Sequence, residues 1–188
     1  MSTRFNPRSG RGFSLIEVLA AVLVLAVGIV GAGAAQVTAL KTRHGTGLMS
    51  SAVQLAGTLA ERMRANPAQM QAGDVANPYL HAGYDAAGGA PAAPTSMCYA
   101  GASCTSAQMA AFDIYELRQA LYRQYPGARM VVCRDGAMWD DGERALSWQC
   151  TGGPDAPVVI KLGWRTRNSG GGGPFAPVIG VLVGGAFQ

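Results

Sequence analysis

Residues 18 to 35, Val-Leu-Ala-Ala through Gly-Ala-Ala, carry no charged or strongly polar side chain. Together with Phe13, Leu15 and Ile16 they form an apolar stretch of more than twenty residues, enough to cross about 30 Å of hydrocarbon as a helix. Arg4, Arg8 and Arg11 precede it, and the first twelve residues contain no acid. That asymmetry predicts a cytoplasmic N-terminus and an exported remainder. Lys41 and Arg43, beyond the run, blunt it slightly. The net charge of +4 owes much to this leader: without its three arginines, 12 Lys and Arg face 11 Asp and Glu. The basic balance is therefore poor evidence for nucleic-acid binding, and no Lys/Arg run with interleaved aromatics occurs elsewhere.

One residue breaks the pattern. Glu17 lies inside the apolar stretch, where a carboxylate costs roughly 2.5–3.5 kcal/mol at a membrane centre and less near its edge. Either it stays in the headgroup region, or it is kept for a partner charge. The surrounding residues favour the second reading. Residues 11 to 20 read Arg-Gly-Phe-Ser-Leu-Ile-Glu-Val-Leu-Ala, which resembles the class III signal of type IV pilins and type II secretion pseudopilins. In that family a prepilin peptidase cuts after the leader's final Gly, the new N-terminal residue is N-methylated, and Glu stands fifth in the mature chain. Gly12, Phe13 and Glu17 match those three positions.

The chemistry accounts for each residue. Gly12 lets the backbone approach a peptidase closely. The resemblance implies that Glu17 accepts the positive N-terminus of Phe13 on a neighbouring subunit, a pairing that offsets the cost of burying both charges. A competing site is Ala32-Gly33-Ala34, which has the look of an ordinary signal-peptidase cleavage and would release a soluble periplasmic binding protein from near Ala35. That alternative leaves Glu17 unexplained.

Beyond Ala35 the helix is expected to continue. Leu48, Ala52, Leu55, Leu59 and Met63 mark one apolar face, with Arg62 and Arg64 off it, and Asn66-Pro67 supplies a stop. A helix from Phe13 to about Arg64 would be about 78 Å long. Gly45 and Gly47 predict a bend or a melted turn. Residues 73 to 105, rich in Gly, Ala, Pro and Ser, read as a long surface loop. A helix is predicted over 106–125, with Ser106 as N-cap and Asp113, Glu116, Arg118 and Arg123 on a solvated face. Strands are predicted at 128–134, 145–150, 158–166 and 177–183, with a turn at Asp140-Asp141-Gly142 and a flexible loop at Gly170 to Gly173. Trp139, Trp148 and Trp164 are read as core or edge packing.

Cys98, Cys104, Cys133 and Cys150 contain no C-x-x-C pair, and only His44 and His81 could join them on a metal. Behind an export signal they read as two disulfides. Local spacing and the strand reading favour Cys98–Cys104 and Cys133–Cys150. Asp140, Asp141 and Glu143 lack the spacing of a calcium loop. The glycines at 28, 31 and 33 lie inside the apolar run, so a dinucleotide site fails, and no catalytic constellation appears. We expect no enzyme activity, no metal and no cofactor.

The expected fold is α+β and type IV pilin-like: a long N-terminal helix packed on a small antiparallel sheet, with an extra helix. Its parts are a cleaved leader (1–12), a transmembrane or filament-core helix (13–35), an amphipathic continuation (36–66) and a periplasmic head (67–188). Cys150 lies 38 residues from the end, whereas major pilins close a loop nearer their C-terminus. Residues Leu59 to Pro67 and the helix Phe112 to Leu121 are similar to the minor pilin family PilV, the type IV pilus modification protein. The resemblance implies a subunit that primes pilus assembly with other minor pilins, the major pilin and a tip adhesin. Prepilin peptidase and the inner-membrane assembly machinery would be further partners, and no nucleic acid binds directly. A minor pseudopilin of a type II secretion system is the alternative. The chain would sit in the inner membrane before assembly and in the pilus afterwards.

Overall fold

A computed structural model describes residues 12–166 and 175–184. The chain divides into two compact units, Met1–Gly47 and Leu48–Gln188. Helix α1, Leu15–Arg64, runs through both. In the first unit every described residue is exposed. Gly45 and Gly47 remain helical, so the turn there is not melted. A glycine costs up to about 1 kcal/mol against Ala, which a ladder established on both sides can absorb.

The second unit holds the core. Ala52, Ala56, Leu59, Ala60 and Met63 of α1 are buried at spacings of three and four, as one helix face requires. The short helix α2, Pro67–Met70, follows. Residues 73–105 depart from the loop reading. Pro78–His81 form a 3-10 turn capped by Asn77, whose side chain accepts from Tyr79 N at 3.0 Å. Tyr79 and Ala82 are fully buried, and Tyr84–Asp85 (β1) pairs with Met130 and Arg129. A bulky aromatic driven into the core fixes a segment whose composition looks unstructured.

Helix α3 spans Ser106–Gln124. Its cap is Thr105 rather than Ser106. Thr105 Oγ1 accepts from Gln108 N at 3.3 Å, and Gln108 Oε1 accepts from Thr105 N at 2.9 Å. This reciprocal box satisfies two otherwise orphaned donors.

The remaining strands are β2 (Arg129–Arg134), β3 (Trp139–Asp140), β4 (Ala145–Leu146), β5 (Val158–Gly163) and β6 (Ile179–Gly184). The main sheet has the antiparallel order β1-β2-β5-β6, and β3 and β4 form a separate hairpin. The expected strand over 145–150 shortens to two residues, and β2 pairs with β5 instead. The expected strand ends at 166 and 183 become Gly163 and Gly184. The loop expected at Gly170 to Gly173 lies outside the described residues.

Side chains alternate across the pleat. Met130, Val132, Val158, Ile160, Leu162 and Ile179 join α1 and α3 in one core cluster. Val159 is fully buried yet outside that cluster, and with Lys161 and Gly163 it occupies the opposite face. The excursion between β2 and β5 covers that face. Trp148 lies over Gly163, and Met138 and Leu146 lie over Gly180. All six residues of β5 are therefore buried. Trp164 packs against Tyr125 with ring centroids 5.0 Å apart, whereas Trp139 is exposed rather than packed.

Candidate processing and assembly site

Gly12, Phe13 and Ser14 precede α1. Ser14 O accepts from Glu17 N at 3.0 Å and from Val18 N at 3.3 Å, so Ser14 caps the helix that begins at Leu15. Phe13 is 82% exposed, and a Cβ added at Gly12 would meet nothing within 4 Å. Among the described residues, nothing packs over Gly12 or Phe13. Glu17 sits in the first turn, where the helix dipole favours a carboxylate. Among the described residues no cation pairs with it.

Downstream, α1 contains a window of mean hydropathy 2.7, none of it buried within the chain. By length and composition it can cross a membrane. Thr38, Thr42 and Thr46 donate their hydroxyls to the carbonyls of Ala34, Thr38 and Thr42, each at 3.1 Å. Those polar side chains are satisfied inside the helix and ask nothing of their surroundings.

Residues 7–33 match the model of the prokaryotic N-terminal methylation motif, and residues 34–115 match that of type IV pilin Tt1218. The chain is type IV pilin-like. Comparison with curated proteins and with solved structures returns no match. A pilin-like chain with this motif is processed by prepilin peptidase, is anchored by its apolar helix and assembles with other pilins. The α+β fold expected from the sequence is the one observed. Both matches end before β2, so most of the sheet is known from the structure alone.

Within the pilin-like head, a polar cluster ties α1, the Tyr79 turn and α3. Arg62 donates to Asp113 at 3.0 Å and to Glu116 at 2.5 Å, and Tyr79 Oη donates to Asp113 Oδ2 at 2.8 Å. Asn66 Nδ2 donates to Tyr79 Oη at 3.3 Å and to Ser106 O at 2.8 Å. Burial above all, and then Asp113, push the Tyr79 hydroxyl above its ordinary pKa. Burial opposes the charge on Arg62, but Glu116 and Asp113 outweigh it and raise its pKa. Asp113 is 4% exposed, so it is a buried anchor and not part of a solvated face. Arg118, also expected in solvent, donates to Gly83 O at 2.9 Å.

The cysteines are bonded Cys98 to Cys104 and Cys133 to Cys150, with Cα separations of 6.0 and 6.3 Å. Cys150 lies in a loop and not on a strand adjacent to Cys133. Asp140 Oδ1 accepts from Gly142 N at 2.9 Å and Glu143 N at 3.0 Å, which uses it in a turn. Among the described residues, no group of three His, Cys, Asp or Glu gathers to hold a metal.

Sequence reasoning overlooked Lys161 and Asp135. Lys161 is fully buried and lies 2.5 Å from Asp135 Oδ2. It also donates to Ser147 O at 2.7 Å and Gln149 O at 2.6 Å. Two ammonium donors thus go to carbonyls, and the charge is paired with Asp135. Burial opposes the Asp135 charge, but Lys161 and the donors Ala137 N, Thr151 Oγ1 and Thr151 N hold its pKa below the usual carboxylate value. The signal was legible: Lys161 is the one charge in Val-Val-Ile-Lys-Leu-Gly, a run that otherwise reads as a strand buried on both faces.

Proposed function

We propose that this chain is a minor pilin of the PilV kind, cut after Gly12 and N-methylated on Phe13. It waits in the inner membrane with its head in the periplasm. It then joins other minor pilins and a tip adhesin to prime a type IV pilus, and remains in the filament. The observation that carries this reading is the accessible Gly12–Phe13 bond one turn ahead of Glu17, at the head of an exposed apolar helix. In a bundle of such helices, Glu17 accepts the ammonium of a neighbour's Phe13, and a subunit out of axial register leaves both charges unpaired. The pair thereby measures depth. The part played is structural, in keeping with a pilin-like chain.

Mass spectrometry of the mature N-terminus tests the reading. The expected chain begins with methylated Phe13, and Gly12→Val leaves full-length precursor in the inner membrane. A mature N-terminus near Ala35 would overturn it in favour of a released periplasmic protein. Deletion of the chain should reduce the number of surface pili. If it instead blocks protein secretion and spares pili, the chain is a pseudopilin.

A further inference from the structure

Cys150 is gripped on both sides by groups that are not sulfur. Gln149 gives its carbonyl to Lys161 Nζ at 2.6 Å. Thr151 donates its hydroxyl and amide to Asp135 Oδ1 at 3.0 and 3.3 Å. Lys161 and Asp135 then pair with each other at 2.5 Å. Cys133 stands two residues before Asp135 on β2 and pairs in register with Val159, two residues before Lys161 on β5. One buried ion pair thus holds the backbone flanking one cysteine and is rooted beside the other. None of these bonds involves a sulfur atom. The Cys98–Cys104 bridge closes only six residues of sequence, whereas Cys133 and Cys150 are 17 apart.

We propose that the Lys161–Asp135 pair is a positioning device for oxidation. It seats residues 149–151 on the outer face of the sheet in the dithiol form, so that Cys150 meets Cys133. With a small disulfide oxidant such as oxidised glutathione, one cysteine thiolate attacks an oxidant sulfur and expels one glutathione thiolate. The second cysteine thiolate attacks the resulting mixed disulfide and expels the other glutathione. The two cysteines lose two protons and two electrons, and the oxidant ends as two thiols. Because such coupling is reciprocal, the disulfide strengthens the ion pair by the same factor that the ion pair favours the disulfide. This inference concerns the head alone and does not depend on the minor-pilin reading.

The test uses the full chain in detergent with Cys98→Ser and Cys104→Ser, so that one dithiol remains. Equilibration with reduced and oxidised glutathione, acid quenching, alkylation and intact mass give the effective concentration of one thiol at the other. Lys161→Met should lower it by about tenfold or more, equivalent to about 1.4 kcal/mol. Asp135→Asn should act in the same direction. Thr151→Val, at an exposed position, removes only the hydroxyl contacts and should cause a smaller fall. Leu162→Ala loosens the inner face without touching the cluster, and should leave the value within about twofold. If Lys161→Met does not fold, Asp135→Asn and Thr151→Val carry the test. An unchanged value in the cluster variants, or an equal fall in Leu162→Ala, overturns the proposal.

Discussion

Helix α1 solves two problems with two vocabularies. From Leu15 to Gly47 it is exposed throughout and carries large branched residues such as Val22, Leu23, Ile29 and Val30. From Leu48 to Arg64 it buries Ala52, Ala56, Leu59, Ala60 and Met63 in the head. The second stretch packs both small and large side chains into the head core with residues of the sheet and α3. Bulky residues in the first have no partner within the chain, and so large an exposed apolar surface is stable only against lipid or other subunits. Apolar sequence reports that a residue avoids water, and only the fold shows whether its own chain shields it.

The largest effect should come from the exposed stretch. Glu17→Gln keeps an acceptor and the side-chain shape but cannot neutralise an ammonium. On the proposed pairing, surface pili counted by electron microscopy should fall close to none at native expression. The unfolding midpoint of the head should stay that of the parent. Wild-type piliation would mean that Glu17 is merely a carboxylate at the membrane edge, and the two stretches would then differ in packing alone.

The buried stretch should respond in the opposite way. Leu59 is 2% exposed in the core, and truncating such a leucine costs about 2–5 kcal/mol. Leu59→Ala should lower the denaturant midpoint of the head by a corresponding amount. Leu23 is 66% exposed, and Leu23→Ala should leave that midpoint alone. Equal losses would erase the distinction between the stretches.

The sequence revealed most where a pattern is local and periodic. The apolar run, the helix stop at Asn66-Pro67 and the course of α3 depend on residues a few positions apart. It revealed least where partners are distant. Tyr79 can be buried because its hydroxyl donates to Asp113, 34 positions away, and accepts from Asn66 Nδ2, and no composition rule marks that within a Gly- and Ala-rich segment. The strand expected through Cys150 failed for a similar reason. Its carbonyls at 147 and 149 turn to Lys161 rather than to a neighbouring strand. At the proposed processing junction, by contrast, Gly12, Phe13 and Glu17 stand within six residues, so that candidate rests on a local pattern that needs no fold to be read. Ser106 was a near miss, since Thr105-x-x-Gln108 is the better capping signature.

The smallest effect is one of pH and lies in the head, beyond α1. Asp135 titrates below the usual carboxylate range in the folded head. A depressed folded pKa contributes stability that is present above the unfolded value, about 3.9, and is lost as pH falls through the folded value. Burial works against the Lys161 pair and the Thr151 and Ala137 donors in setting this pKa. Urea unfolding followed from pH 7 to pH 2 should therefore show little change from this group down to about pH 4 and a loss below it. Asp135→Asn cannot take up the proton, and its stability should fall less steeply in acid, by at most one proton's worth of slope. Asp113 and the other carboxylates remain in both proteins, so the difference between the two curves isolates the pair. Parallel curves would show that Asp135 binds its proton equally in the folded and unfolded chains. Lys161 would then lie beneath the covering segment without drawing on its charge.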